Sequence, residues 1–586
     1  MITTLYRFAE LLKENEDLQD YYSPVQNPFD GREEKGKVLI GHIENQVFVG
    51  FKTEDFKKPQ INNYLYRRPS GPKGTGIVPT LYLNLKEISK TSNKLKSSLN
   101  NNSDLINLNN AEMLLQQFEA YEFNQDFSYI VTFKVDGRWF GEIETLRDKV
   151  AADAYQKYYK KASQGNSQKE DQICAITGER DTVYGFVSTL GFSVNDQSFI
   201  RNGFDTSAGY KMFPVSKTII PTLEAAQGIL MNRVSASFFG SIKYAIIPHF
   251  IFPVAETLGK EIAERFLSKA ALNIDNKEQG TQSFINSTEA LLHEIVEDQE
   301  LSRSEIYYAI MFYEQQQAQF KIHLELNDVL PSRMSKVLEA KGQAENCYKS
   351  FTSYEKKNGT FYHQRITLYR LRDYFQTDDK NIMPAYYQLV SAIFTGQPFD
   401  DRKLLKLVVQ SWKRAFKRYF HESELVFYAM VKETLANLLF LNLIKIYRTK
   451  SNMSSSENDT AEHQDAFRFI ETHPAYFSAE YLKGAFILGC LVTRLLYNQP
   501  GKAFLKELNG LGIDKEIIRK IYPKLISKLR QYDHEFQGLE AAASRYFAIN
   551  DKASKDEISF AFTMGMVLQK DFDRINKLNK PDNNES

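Results

Sequence analysis

The run DRKLLKLVVQSWKRAFKRYF, residues 401–420, keeps one period from end to end. Leu404, Leu405, Val408, Trp412, Ala415, Phe416 and Tyr419 fall at the three- and four-residue spacing that lines up one side of an α-helix. The same period governs the chain from about Pro331 onward. Residues 424–447 predict a long apolar helix. Residues 449–462 contain Ser-Asn-Met-Ser-Ser-Ser-Glu-Asn-Asp and predict a linker. Further helices are expected over 479–497, 502–508, 514–531 and 556–569, the third interrupted or kinked by Pro523. No repeat of fixed period is present.

Before Pro331 strand signals enter. Residues 38–43 and 46–51 read as short strands about a turn at Glu44-Asn45, and 77–83 and 127–135 read likewise. Residues 307–313 and 320–326 read as a hairpin, with Phe320, Ile322, Leu324 and Leu326 on one face. Helices are expected over 142–161 and 221–237. The Ser-, Asn- and Lys-rich residues 90–110 read as a mobile surface loop. The expected class is α+β: a mixed α/β N-terminal region over 1–330, a helical middle region over 331–450 and a C-terminal helical bundle over 451–586.

Length and composition bound the function. At roughly 150 residues per domain, 586 residues make about four structural units. Near-equal counts of 74 Lys+Arg and 73 Asp+Glu exclude a uniformly polybasic binder and leave room for a local basic stripe. Three scattered cysteines, Cys174, Cys347 and Cys490, are not a disulfide framework and suit a reducing compartment. The N-terminus lacks the basic start and apolar core of a signal peptide. Residues 242–254 are too short for the ~20 residues that span a bilayer. Residues 425–447 carry Lys432 and Glu433 and read as a buried helix. A cytoplasmic protein with no membrane association is expected.

The motifs of catalysis are missing. Gly71-Pro-Lys-Gly-Thr-Gly76 is glycine-rich, but Ile77-Val78 stands where a phosphate loop needs Lys and a hydroxyl. His293-Glu294-Ile-Val-Glu297 has no second His for zinc, no His-Asp dipeptide occurs, and no nucleophile elbow is marked. No catalytic residue, cofactor or metal is expected.

Two features are positive. Residues 401–420 hold seven basic residues against Asp401, a local net charge of +6. At about 100° per residue, Lys403, Lys406, Lys413, Arg414 and Lys417 cluster opposite the apolar stripe, where they would meet a phosphate backbone. The plainer reading is a solvated helix surface. The second feature is Tyr64-Leu-Tyr-Arg67-Arg68-Pro-Ser-Gly71-Pro-Lys73-Gly74-Thr75-Gly76-Ile-Val-Pro79-Thr80. Its glycines let backbone approach a groove while Arg67, Arg68 and Lys73 contact phosphates or base edges. The plainer reading is a β-hairpin loop.

This segment resembles the N-terminal signature of the large subunit of type I-B CRISPR Cascade complexes. Further resemblances follow in order. Cys174-Ala-Ile-Thr-Gly178 and Phe213-Pro-Val-Ser216-Lys-Thr-Ile219 resemble the family's two cysteine knuckles, in an insert over about 170–222. Asn327-Asp-Val-Leu-Pro331-Ser-Arg333 resembles its Asp-Val-x-Pro-Ser-Arg element. Lys483-Gly-Ala-Phe-Ile-Leu-Gly489, with Gln499, and Glu557-Ile-Ser-Phe-Ala-Phe-Thr-Met-Gly565 resemble its C-terminal patterns.

The resemblance implies a non-catalytic subunit that contacts the 5′ end of a CRISPR RNA and checks the protospacer-adjacent motif (PAM) on double-stranded target DNA. It implies partners too: repeated backbone and other Cascade subunits, and a separate helicase–nuclease that is recruited. Such systems often make a small subunit from an internal start, for which Met453 and Met430 are candidates. Lys520, Lys524 and Lys528 would then face a DNA strand. Asn202 and Lys211, between the knuckles, are a second pair of motif-reading candidates. The four knuckle positions read Cys174, Thr177, Ser216 and Ile219, a set that cannot supply four zinc ligands. Two other classes stay open: a stand-alone nucleic-acid enzyme with an unrecognised site, shown by metal-dependent cleavage, and a scaffold whose basic helix only meets solvent, shown by unchanged affinity when the stripe is reversed.

Overall fold

Asn45 and Gln46 both hold left-handed backbone, φ 48° and 66°. Paired positive φ values let a two-residue turn follow the twist of its strands. The turn joins β1 (Gly36–Glu44) to β2 (Val47–Asp55) in an antiparallel pair. At Phe48 the outer edge of β2 is met by one side chain. The Asn110 amide accepts from the Phe48 N–H at 2.7 Å and donates to the Phe48 carbonyl at 2.9 Å.

In the computed structural model the described residues are 1–29, 31–67, 77–103, 109–161, 165–190, 205–239, 241–250, 259–261, 263–264, 267, 306–316, 319–349, 353–355, 361–363, 366–376, 383–420, 424–448, 465–498, 500–549 and 551–578. The chain is α+β and divides into two units, one mainly residues up to 267 with 312–322, the other mainly residues from 323 on.

In the first unit, after α1 (Ile2–Leu11), the strands β3 (Leu81–Tyr82), β4 (Ser128–Val135) and β5 (Arg138–Trp139) complete the N-terminal sheet. Its order is β2-β1-β4-β3, with β5 also on β4 and β1 parallel to β4. The strand expected over 77–83 shrinks to two residues, because Pro79 cannot donate to a ladder.

The pleat sorts the core. Leu39, Ile43, Val131 and Phe133 pack beneath α2 (Ile88–Asn100) and α3 (Ala111–Glu119), while Val38, Ile40 and Ile130 meet Tyr64 and Trp139 on the other face. Residues 90–100 of the mobile loop expected over 90–110 are therefore helical. Thr91, Ser92, Leu95, Ser98 and Leu99 are the buried positions of α2. Three of these five carry hydroxyls, so loop-like composition hides the helical period. Then α4 (Glu144–Gln156) leads to β6 (Lys160–Lys161) and β7 (Gly165–Asn166), a two-stranded ladder. The next sheet has order β10-β9-β8, built from β8 (Gln168–Ile173), β9 (Arg180–Tyr184) and β10 (Val215–Ser216). It is followed by α5 (Ile220–Ile229).

A four-stranded sheet runs in chain order through β11 (Ala236–Phe239), β12 (Ile242–Phe250), β13 (Ile306–Gln316) and β14 (Gln319–Val329). Its last two strands are the hairpin expected from the alternation of residues 307–326.

The second unit is mainly helical: α6 (Pro331–Cys347), α7 (Met383–Thr395), α8 (Asp401–Tyr419), α9 (Glu424–Leu443), α10 (Ala466–Thr472), α11 (Glu480–Asn498), α12 (Lys515–Gln531), α13 (Gln537–Ala548) and α14 (Lys555–Leu578). Every residue of α9 from Val431 through Leu441 is buried, so α9 lies inside the unit. Its two charges are met there: Lys432 Nζ lies 3.3 Å from Asp571, and Glu433 lies 3.4 Å from Arg370. Trp412 of α8 stacks on Phe560 of α14 with ring centroids 4.9 Å apart.

Pro523 lies inside α12 without the interruption expected of it. It sits on the exposed face, while Ile518, Ile521, Leu525 and Leu529 hold the other face in the core. The cost of its missing N–H is therefore borne on the solvent side. The sequence does not predict α13; this helix buries only Ala543, too thin a stripe for a period to show.

The C-terminal glycine motifs have a packing reason. At Gly489 of α11 an added Cβ would stand 2.1 Å from the Phe562 carbonyl oxygen. At Gly565 of α14 it would stand 1.9 Å from that of Phe486. The two helices thus cross backbone on backbone. Cys490 Sγ and Thr493 Oγ1 donate across the crossing to the carbonyls of Gly565 and Met566, at 3.4 Å and 2.5 Å.

Candidate nucleic-acid interface

The Tyr64–Arg67 motif is tied to the N-terminal sheet and its neighbours. The Tyr64 ring meets Trp139 edge-on at 5.4 Å, and its carbonyl accepts from Thr80 and Thr132 hydroxyls at 2.9 Å and 3.1 Å. Leu65 turns the chain with left-handed backbone, φ 54°. Arg67 then reaches inward. Its Nε donates to Asp153 Oδ2 at 3.2 Å and its Nη1 to the Pro24 carbonyl at 3.0 Å, leaving the side chain 16% exposed. Arg67 is thereby committed to Asp153 and the Pro24 carbonyl rather than to an open surface. Arg68 and Lys73 lie outside the described residues, as does Asn202.

The two knuckles come together. Cys174 Sγ accepts from the backbone N–H groups of Ile176 at 3.5 Å and Ser216 at 3.3 Å. Burial pushes the thiol pKa up, but N–H donation from Ser216, Thr177 and Ile176, with the Thr177 hydroxyl, outweighs it and holds the value below the ordinary one. Opposite, the Ser216 hydroxyl donates to Asp181. The Thr218 hydroxyl donates to the same carboxylate at 3.1 Å and lies 2.7 Å from Ser216 Oγ. Burial raises the Asp181 pKa, yet these donors carry it below the usual carboxylate range.

Ile219 and Cys174 belong to one apolar cluster with Val215, Ile220 and Leu223. One thiol, two hydroxyls and an isoleucine do not fit tetrahedral zinc. A hydrogen-bonded clasp joins β9 to β10 at this place. Elemental analysis of purified chain is expected to show no stoichiometric zinc, and a chelator to leave its melting temperature unchanged; one zinc per chain would overturn this.

Lys211 ends a 3₁₀ segment, Thr206–Lys211, beside this clasp and is exposed. It shares a groove of about 410 Å³ with Arg180.

The α8 helix spans the range that its period predicts. Arg402, Lys406, Lys417 and Arg418 are exposed; Lys403, Lys413 and Arg414 are half-buried. Burial pulls the Lys413 pKa down, opposed by the nearby Asp556 and Asp514 carboxylates. The middle of the stripe therefore has acidic company that no inspection of α8 alone reveals, supplied by α14 and by the N-cap of α12. On α12, Lys520, Lys524 and Lys528 share the exposed face. Lys524 pairs with Glu507 at 2.8 Å and Lys528 donates to Gln531 at 2.9 Å. A surface groove of about 480 Å³ lies along Phe504, Pro523, Lys524 and Lys528.

One motif residue proves structural. Arg333 Nε donates to the Ile393 carbonyl at 2.8 Å and Nη1 to the Ile444 carbonyl at 3.2 Å. It thus satisfies carbonyls at the C-terminal ends of α7 and α9, where a cation also suits the helix dipole. Burial pulls its pKa down.

Two family models match the chain. That of the CRISPR-associated protein TM1802 central domain matches residues 171–329, from β8 through β14. That of the TM1802 C-terminal domain matches residues 366–580. No curated protein matches. The class is that of CRISPR-associated proteins. Within it, the chain belongs to the TM1802 family, whose central and C-terminal domains together cover more than half of its residues. Among the described residues no helix is long and apolar enough to cross a membrane.

Proposed function

We propose that this chain is the large, non-catalytic subunit of a type I-B CRISPR RNA-guided surveillance complex. In this reading it contacts CRISPR RNA and double-stranded target DNA and takes part in recognising the PAM. It assembles with repeated backbone and other Cascade subunits and recruits a separate helicase–nuclease in the cytoplasm. Base pairing with the RNA reads the target sequence, so the protein needs cationic surfaces and a short-motif reader. Arg68, Lys73, Asn202 and Lys211 remain the candidates for motif reading, and Arg67, held by Asp153 and the Pro24 carbonyl, precedes two of them in the chain. Residues 1–330, 331–450 and 451–586 are proposed as the motif-reading, middle and small-subunit-like regions.

One observation carries the reading: in a CRISPR-associated protein with a net charge of only +1, α8 turns Arg402, Lys406, Lys417 and Arg418 outward. Cations gathered on one helix of an otherwise balanced chain suit a phosphate backbone. The triple variant Lys406→Glu, Lys413→Glu, Lys417→Glu is expected to bind RNA or duplex DNA more weakly with unchanged sequence preference. The slope of log affinity against log salt should flatten by about 0.9 for each duplex phosphate that is no longer neutralised. An unchanged slope would leave the stripe merely solvated.

The reading also includes a small subunit from an internal start. Met430 is half-buried within α9, and Met453 lies outside the described residues. Intact-mass measurement of the complex from the unmodified gene is expected to show a short C-terminal species, which disappears when Met453 or Met430 is recoded; full-length chain alone would refute it.

A further inference from the structure

We propose that the groove between β8 and the Thr206–Lys211 segment binds one unpaired nucleotide of a single-stranded nucleic acid, its base against Tyr210 and Ile173 and its phosphate between Arg180 and Lys211. This rests on the nucleic-acid reading above and adds Arg180, Ile173 and Tyr210, which the sequence did not single out.

The groove's two walls are fixed before any ligand arrives. On one side, Ser167 is fully buried; its hydroxyl donates to the Ser207 carbonyl at 2.9 Å and accepts from the Tyr210 N–H at 3.0 Å. Gly185 permits this approach: a Cβ there would stand 2.4 Å from the Tyr210 nitrogen. The Tyr210 backbone is thereby held against Ser167. On the other side, β8 is irregular between Lys169 and Gln172, and Asp171 holds left-handed backbone, φ 50°. A break of this kind re-aims the side chains that follow it.

Arg180 is held at this break. Its Nη1 lies 3.2 Å from both the Asp171 carbonyl and the Asp171 carboxylate, yet the side chain stays 63% exposed. The guanidinium is oriented without being covered, so a ligand has little side-chain freedom left to freeze. Ile173 is 55% exposed on a strand whose other residues are polar.

The occupant follows from shape and charge. Tyr210, Ile173 and Pro214 give ring and aliphatic surface, and Arg180 and Lys211 stand beside them. A nucleotide offers that pairing of a flat apolar face with an anion. In a duplex the base faces are stacked on one another and out of reach; an unpaired base is free to stack on an aromatic ring. The volume, about 410 Å³, is near the lower end for small-molecule sites and suits one nucleotide rather than a helix.

The test uses the full chain and a fluorescein-labelled mixed-sequence DNA or RNA single strand, read by anisotropy against the matching duplex. Tyr210→Ala and Arg180→Gln are each expected to weaken single-strand binding roughly tenfold, with Tyr210→Phe near the unaltered protein. Duplex binding should change little. Lys211→Glu, at an exposed position, reads the phosphate interaction with no demand on the fold. Circular dichroism checks that each variant folds. Single-strand binding that Arg180→Gln and Lys211→Glu both leave untouched overturns the groove and leaves the nucleic-acid reading standing. Equal weakening of single strand and duplex by Tyr210→Ala and Arg180→Gln overturns the unpaired nucleotide. No oligonucleotide binding by the unaltered chain overturns both.

Discussion

Gly565→Ala is expected to lower the stability of the helical unit by about 3 kcal/mol. The new methyl would stand 1.9 Å from the Phe486 carbonyl oxygen, a backbone atom that no rotamer change can move aside. Relief requires α11 and α14 to separate, stretching the Cys490 and Thr493 bonds to the facing carbonyls and loosening Phe486 and Phe562, both fully buried. The helix preference of Ala over Gly returns only about 1 kcal/mol. Gly489→Ala should act alike through the Phe562 carbonyl. Gly342→Ala is the control: it lies in α6 with nothing within 4 Å of the added Cβ, and should be neutral or stabilising. By circular dichroism, Gly565→Ala should lose roughly 6–12 °C in melting temperature, at about 2–4 °C per kcal/mol for a unit of this size. A melting temperature equal to that of the control would show that the helices can part at no cost.

Asp571→Ala is expected to cost about as much or more. Asp571 accepts from Lys432 at 3.3 Å and from Arg574 at 3.1 Å, and its side chain is 8% exposed. Its removal takes from the buried Lys432 the carboxylate that offsets its burial, and breaking a buried pair on one side typically costs about 3–5 kcal/mol. The double variant Lys432→Met, Asp571→Leu should lose much less, since an apolar pair removes the desolvation penalty together with the attraction.

The pH dependence has a definite sign. Burial lowers the Lys432 pKa, and Asp571 raises it back in part. Without Asp571 the folded value falls further below the unfolded one. Between those two values the unfolded chain binds more protons, so stability rises with pH there. The deficit of Asp571→Ala should therefore be larger at about pH 7 than at about pH 10. Urea titrations at the two pH values measure it, and a deficit that does not shrink would place the cost elsewhere than in Lys432.

Much of the architecture is readable where one face of an element is apolar and the other is not. The β1–β2 hairpin, the β13–β14 hairpin and α8 each repeat their own period clearly, and the structure has them near their expected bounds. Elements that bury hydroxyls or very little are not readable: α2 hides Thr91, Ser92 and Ser98 in the core, and α13 buries a single alanine. The candidate interface is readable only as a set of cations. Sequence shows that Lys413 is basic; it does not show Asp514 and Asp556 beside it, because they arrive from elements a hundred or more residues downstream. Arg67 and Arg333 sit in motifs, and their partners are backbone carbonyls and an aspartate that spacing cannot assign. Arg180 and Tyr210 share a groove only because Ser167 and Gly185 bring the chain back upon itself.

The Asn110 amide occupies the edge of the N-terminal sheet at Phe48. A strand with unpaired edge groups is a template on which another chain can grow. At Phe48 both edge groups are already answered by a side chain that precedes α3, so an incoming strand must first break two hydrogen bonds and then displace the start of that helix. Growth by strand addition thus meets a barrier at Phe48, supplied by a single asparagine.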